Sequence, residues 1–266
     1  FMSCYNLETV NFGDNSQLTS IENEAFSYCN KLTSVNFGEN SQLTSIGNEV
    51  FYSAFTNNTP VTIEIPSSVK SIGNSAFESA SVTNVVFGED SQLTSISNSA
   101  FKNCGYLDSI VLPKNVKEIR NFAFQNCGQL KFVGFEDGSQ LTSISDLVFK
   151  GCNQLQKVEI PSMVNYIGYE SFANCGNLII IENAAVEVPQ TDSDAFNACP
   201  ERMRIQVPAE SLEDYKNEIP WNNFTIVSEI IQHEIALSTN LEYAGYTEGA
   251  GTYFDGENVT IDAVAY

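Results

Sequence analysis

The residues with the greatest capacity for chemistry are seven cysteines, a single histidine and 33 Asp plus Glu. Thiolates bind zinc or pair as disulfides, and imidazole is the usual general base. Cys4, Cys29, Cys104, Cys127, Cys152, Cys175 and Cys199 contain no C-x-x-C pair, so a zinc site has no local basis. Apart from the gap between Cys29 and Cys104, they are spaced 25, 23, 25, 23 and 24 residues apart, one phase of a period. That phase predicts a buried row of free thiols acting as small hydrophobes. Disulfides between stacked neighbours are the alternative in an oxidising compartment, opposed by the nearly parallel Cβ vectors of a strand ladder. His233, beside Glu234, reads as a surface or linker residue. There is no Gly-x-Ser-x-Gly, P-loop or dinucleotide fingerprint. A glycosidase pair of carboxylates needs a cleft. We therefore assign no catalytic residue, no metal ligand and no cofactor.

The elements that must position these residues follow from the same period. Phe-x-x-Cys, with Ala in place of Cys twice, recurs at Phe1, Phe26, Phe51, Phe77, Phe101, Phe124, Phe149, Phe172 and Phe196, with Ala54 and Ala80 as the two exceptions. Successive Phe residues are 25, 25, 26, 24, 23, 25, 23 and 24 apart. After each anchor comes an alternating segment such as Leu32/Val35/Phe37 or Leu107/Ile110/Leu112, one face apolar and one wet. It predicts one short parallel strand per coil. A second apolar pair follows, such as Leu43/Ile46 or Val116/Ile119, and five residues after its Ile the next Phe arrives. No coil can bury these side chains alone. Stacked at ~4.8 Å, nine coils give continuous ladders in a rod roughly 40 Å long.

Coil length varies at one edge. Gly13–Gln17, Gly38–Gln42, Gly88–Gln92 and Glu136–Gln140 bridge the longer coils, whereas Pro66, Pro113 and Pro161 turn the shorter ones. The acidic bridges carry calcium-type oxygens, but Asn, Asp, Ser and Gly equally suit tight turns, the favoured reading. Around Phe55 to Pro60 the third coil carries an insertion, expected as a bulge on the stack. Ser20, Ser45, Ser71, Ser95 and Ser143 form a further row, expected to bond mutually between coils.

This pattern resembles the BspA-like, or type-5, leucine-rich repeat of bacterial surface proteins. Leu93-Thr94-Ser95-Ile96, Ala100-Phe101-Lys102-Asn103-Cys104 and Val158-Glu159-Ile160-Pro161 carry the likeness over about residues 1–200. The resemblance implies surface exposure and adhesion-type partners. Pro208, Glu210, Glu213 and Asp214 predict a short helix over about 209–218. Trp221 and Phe224 would then fold onto the last coil as the cap a solenoid requires. The solenoid with its cap, the latter about 200–228, is thus assigned to 1–228. Residues 229–266 read as a small β-rich module of short antiparallel strands. Within it Gly249–Gly256 with Val259-Thr260-Ile261 resembles the start of an internalin-B-type B repeat.

Composition agrees: 42% hydrophobic residues, 18 Phe and 11 Tyr support a sizeable core. Twelve Lys plus Arg leave a formal charge of −21 and a pI near 4.1. That balance keeps a chain soluble and disfavours nucleic acid and anionic membrane surfaces. No run approaches the ~20 apolar residues of a membrane span. The chain starts at Phe1, part-way through a repeat, and is read as a mature fragment, monomeric and extracellular on a bacterial cell surface.

Alternation also fixes the strand's wet positions. They begin small and polar at Thr9, Asn11, Ser34, Asn36, Thr62 and Glu64. Further along they are Asn84 and Val86, Ser109 and Val111, Phe132 and Gly134, Lys157 and Glu159, Ile180 and Glu182, Arg204 and Gln206. The apolar members Val86, Val111, Phe132 and Ile180 mark coils four to eight as the expected contact face for a host or bacterial surface protein or glycan. A non-enzymatic adhesion module is the leading expectation. The alternative is an accessory or scaffold region of a larger surface enzyme, such as a carbohydrate-active protein.

Overall fold

The computed structural model describes residues 1–56 and 60–228, and beyond them the backbone of four short strands, Gln232–Ile235, Tyr246–Glu248, Gly251–Phe254 and Asp262–Val264. Those four pair antiparallel in two sheets of two strands. The tip of the coil-3 insertion (57–59), the side chain of His233 and the rest of the stretch resembling a B repeat lie outside the described residues.

The chain is a parallel β-solenoid. Each of the first eight coils carries a strand of three or four residues and then a strand of two. The inward members of the longer strands, such as Ile63, Ile110, Val133 and Val158, are buried. The two-residue strands, Ser20–Ile21 through Gln190–Thr191, make an unbroken eight-stranded parallel sheet with every Ile on its inner side. The longer strands divide. Thr9–Asn11 pairs only with Ser34–Asn36, and a separate eight-stranded sheet begins at Thr62–Ile65. The break falls where coil 3 carries its insertion, and Phe55 is driven inward there, fully buried at 5.6 Å from the Phe51 ring.

A third side of each coil is built by the Phe-x-x-Cys turn. Its rings stack from Phe1 to Phe196 with neighbouring centroids 5.1–5.6 Å apart. Each such offset stack adds about 0.5–1.5 kcal/mol beyond burial. From Phe26 to Phe172 the residues two before and two after each Phe hold positive φ, as at Glu24 and Tyr28 or Ser99 and Asn103. This alternation aims three N–H groups per coil at the next: Glu24 to Asn48 O, Phe26 to Val50 O and Tyr28 to Tyr52 O, all within 2.9 Å. At the preceding corner the Asn23 Oδ1 accepts the Asn48 N–H, and the Asn48 Oδ1 accepts that of Asn74. Backbone groups that a turn would leave unpaired are thereby satisfied from coil to coil.

All seven cysteines are free, as the phase predicted. Six thiols donate to the Phe carbonyl one coil earlier, for example Cys104 Sγ to Phe77 O at 3.0 Å and Cys127 Sγ to Phe101 O at 3.1 Å. The serine row behaves differently from expectation. Ser20 donates within its own coil to Glu22, and the preceding threonines bridge coils instead, Thr44 to Thr19 O and Thr142 to Lys117 O. A hydroxyl one residue before the strand reaches the carbonyl of the coil beneath.

A 3-10 turn at Ala209–Ser211 leads into the helix Leu212–Asn217, with Glu213 and Asp214 in its first turn. Trp221 is fully buried against Phe196 and Tyr215, and Thr225–Val227 adds the last parallel strand.

Candidate binding face

The longer strands present two rows of outward side chains. One runs Asn84, Ser109, Phe132, Lys157, Ile180 and Arg204 in continuous register. The other includes Glu64 beside Val86, Val111 beside Gly134, and Glu159 beside Glu182. Asn84 pairs with Ser109, and Val86 and Val111 each lie two residues further along their strands, on the same outward side. Each is half exposed, at 50%.

Phe132 does not stand away from the sheet. Its ring lies along its own strand above Gly134, where an added Cβ would come within 2.6 Å of the ring. The absence of a side chain at Gly134 is therefore what seats the aromatic ring, which continues the strip begun by Val86 and Val111. Lys157 Nζ is 5.9 Å from the ring centroid, and it also bonds Glu182 at 2.9 Å and Glu159 at 3.2 Å. Partial burial pulls the Lys157 pKa down, but the two carboxylates outweigh it and leave the ammonium more firmly protonated than usual.

Ile180 corrects the expectation of an exposed residue: it faces outward yet is only 4% accessible. Its register neighbours are Lys157 and Arg204, a long side chain on either side of it in the stack. The half-buried Phe132, Lys157, Glu159, Glu182 and Arg204 make the far end of the face a packed polar and aromatic cluster. The apolar strip is consequently Val86, Val111 and Phe132.

Beyond Glu159 and Glu182 the face opens into a groove of about 520 Å³. Ile160, Pro161, Val207 and Pro208 supply apolar lining, Glu136, Asp137, Glu159 and Glu182 supply carboxylates, and none of the lining residues is cationic. The sequence reading placed Glu136 and Asp137 in an edge turn and did not join them to this face. Only the coil-to-coil stacking brings them beside Glu159.

Other cations bind carboxylates of neighbouring coils: Lys102 to Glu78, Lys114 to Asp90, Lys131 to Asp108 and Lys150 to Glu170. Lys114 lowers the Asp90 pKa and Lys150 lowers that of Glu170. The edge turns use their own oxygens: Asp14 Oδ1 accepts the Glu39 N–H, and the Ser41 and Ser91 hydroxyls accept N–H groups two residues on. Among the described residues no group of three or more His, Cys, Asp or Glu is placed to hold a metal ion. Burial raises the pKa values of the thiols from Cys29 to Cys199, that of Cys199 to about 12, so these sulfurs are poor nucleophiles at neutral pH.

A BspA type leucine-rich repeat region, in six copies, matches residues 1–131 and 131–241. The chain belongs to this family. Among solved structures, the BspA-type repeats here are similar to the pneumococcal vaccine antigen PcpA at 19% identity and a TM-score of 0.42, over 85% of this chain and 68% of that one. A leucine-rich repeat protein from Bacteroides ovatus is 20% identical with a TM-score of 0.40, over 85% of each chain. A leucine-rich cell surface protein from Faecalibacterium prausnitzii is 26% identical with a TM-score of 0.33, over 68% of this chain and 60% of that one. No curated protein matches the chain.

Proposed function

We propose that this chain is a non-enzymatic binding module of a bacterial cell surface, recognising a protein or glycan through the outward face of its longer strands. The observation that carries the reading is the apolar strip of Val86, Val111 and Phe132 on an otherwise polar face, flanked by Lys157, Glu159, Glu182 and Arg204. Contiguous exposed apolar surface on a soluble domain marks an interaction site more often than isolated residues do. Support for the surface location comes from the family and from relatives described as a cell surface protein and a vaccine antigen. We further propose that 1–228 folds as one unit with its cap and that 229–266 forms a separate β-rich piece. The antiparallel pairing of its strands, unlike the parallel coils, supports that division.

The test is an array of glycans and extracellular-matrix proteins probed with the wild-type chain, Val111→Glu and Phe132→Ala. Loss of the captured partners by variants with unchanged thermal midpoints is expected. Retention of every partner by both variants refutes the reading.

A further inference from the structure

The chemistry of the partner can be taken one step further, resting on the reading that this face binds. We infer that the strip and the adjoining groove bind an extended protein segment that presents, along one side, apolar side chains followed by Lys or Arg.

Three observations lead there. The Phe132 ring is seated over Gly134 before any partner arrives, so little ordering cost attaches to using it as an apolar anchor. Val111 lies beside Gly134 and Glu159 Oε2 would stand 3.3 Å from a Cβ there, which makes strip and groove one continuous surface. The groove gathers Glu136, Asp137, Glu159 and Glu182 with no cation among its lining residues, and the nearby Lys157 is already shared between two of those carboxylates. The formal charge of −21 extends the same sign over the whole molecule and steers cationic partners toward it. A neutral glycan would stack on Phe132 but bring no positive charge to a groove that sets four carboxylates against the nearby Lys157. An extended segment sets alternate side chains ~6.8 Å apart on one side, so along that side apolar groups can meet the strip and basic ones further on the carboxylates.

The experiment uses the full chain and two fluorescently labelled octapeptides, Val-Ser-Val-Ser-Lys-Ser-Lys-Ser and the same peptide with Glu in place of Lys, followed by anisotropy. The Lys peptide is expected to bind and to weaken several-fold between roughly 50 and roughly 200 mM salt, while the Glu peptide does not bind. Phe132→Ala, Gly134→Val and the double substitution Glu159→Gln/Glu182→Gln should each weaken it about tenfold. A Glu22→Gln/Glu49→Gln control, exposed and away from this face, should change it less than about twofold. Unchanged thermal midpoints certify that the surface Gln variants fold. No binding of the Lys peptide overturns the inference, as does binding that the control weakens as much as the groove variants. Salt-insensitive capture of a neutral glycan requiring Phe132 but not the carboxylates also overturns it. In that case, or if the peptide fails while Val111→Glu still abolishes array capture, the face reading stands and only the cationic partner falls.

Discussion

At the residue scale, the repeated Cys is explained by a hydrogen bond. The Phe carbonyl has two lone pairs. One takes the local N–H, as Cys104 N to Phe101 O at 3.1 Å, and the other takes the thiol of the next coil, Cys127 Sγ at 3.1 Å. A thiol fills the volume of a small hydrophobe and supplies that weak donor. Cys127→Ala should cost about 1–2 kcal/mol in a urea titration, because Ala54 and Ala80 already fill this phase without collapse. Phe124→Ala leaves a hole in the ring stack and should cost about 3–5 kcal/mol. Burial also ties stability to alkaline pH. The folded thiols from Cys29 to Cys199 titrate above the ordinary value of 9.0, with Cys199 near 12, so the unfolded chain loses those protons first. Stability is whole below pH 9 and falls as pH rises from 9 towards 12. The urea midpoint should therefore drop between pH 8 and roughly pH 10.5, less steeply in Cys127→Ala.

At the element scale, the Phe-side turn depends on left-handed backbone. The two positions flanking Phe at a distance of two are occupied by Glu, Ser, Tyr, Leu, Phe, Asn and Ala, nearly all without the glycine that such φ values favour. Only Asn103, Asn126, Asn174 and Gly151 are residue types that hint at it. Most of the rest are held by an inter-coil hydrogen bond, as Glu24 to Asn48 O and Ser75 to Asn98 O, which no local reading of residue types could disclose. Gly151 offers a test. Its φ is +77°, and an added Cβ would stand 2.5 Å from Asn126 Oδ1. Gly151→Ala should lose about 1–2 kcal/mol, whereas Gly105→Ala, with open space around it, should stay within about 0.5 kcal/mol of wild type. Thermal unfolding of the two variants side by side separates the outcomes.

At the scale of the whole molecule, stability is nearly one-dimensional, since each coil touches mainly its neighbours. The ends matter accordingly. Trp221, the single tryptophan, closes the ring stack edge-on against Phe196 and is fully buried. Trp221→Ala should cost about 3–5 kcal/mol, and the loss should be local. Hydrogen exchange is expected to quicken around Phe172 to Val207 and to change little around Phe77 to Ile119. Uniform acceleration along the chain would show that the coils unfold as one cooperative unit. The split in the longer-strand sheet at coil 3 belongs to this scale too. An insertion near Phe55 was visible in the sequence, but its effect was selective: one sheet is interrupted and the two-residue sheet runs through.

Much of the fold was legible because its signal is short-range and repeated. Phase and alternation by themselves determined the coil lengths, the inward Phe, Leu and Ile rows and the thiol row, and helix-start residues after Pro208 marked the capping segment. The candidate face was only partly legible. The outward direction of Ile180 followed from alternation, but its burial arises in the stack, where its register neighbours are Lys157 and Arg204, more than twenty residues away on either side. Phe132 was readable as outward, yet its seat over Gly134 and the carboxylate groove next to it arise only when the coils stack. A period fixes which way a side chain points. What covers it, and which charges surround it, are set by contacts between coils, and only the tertiary structure decides those.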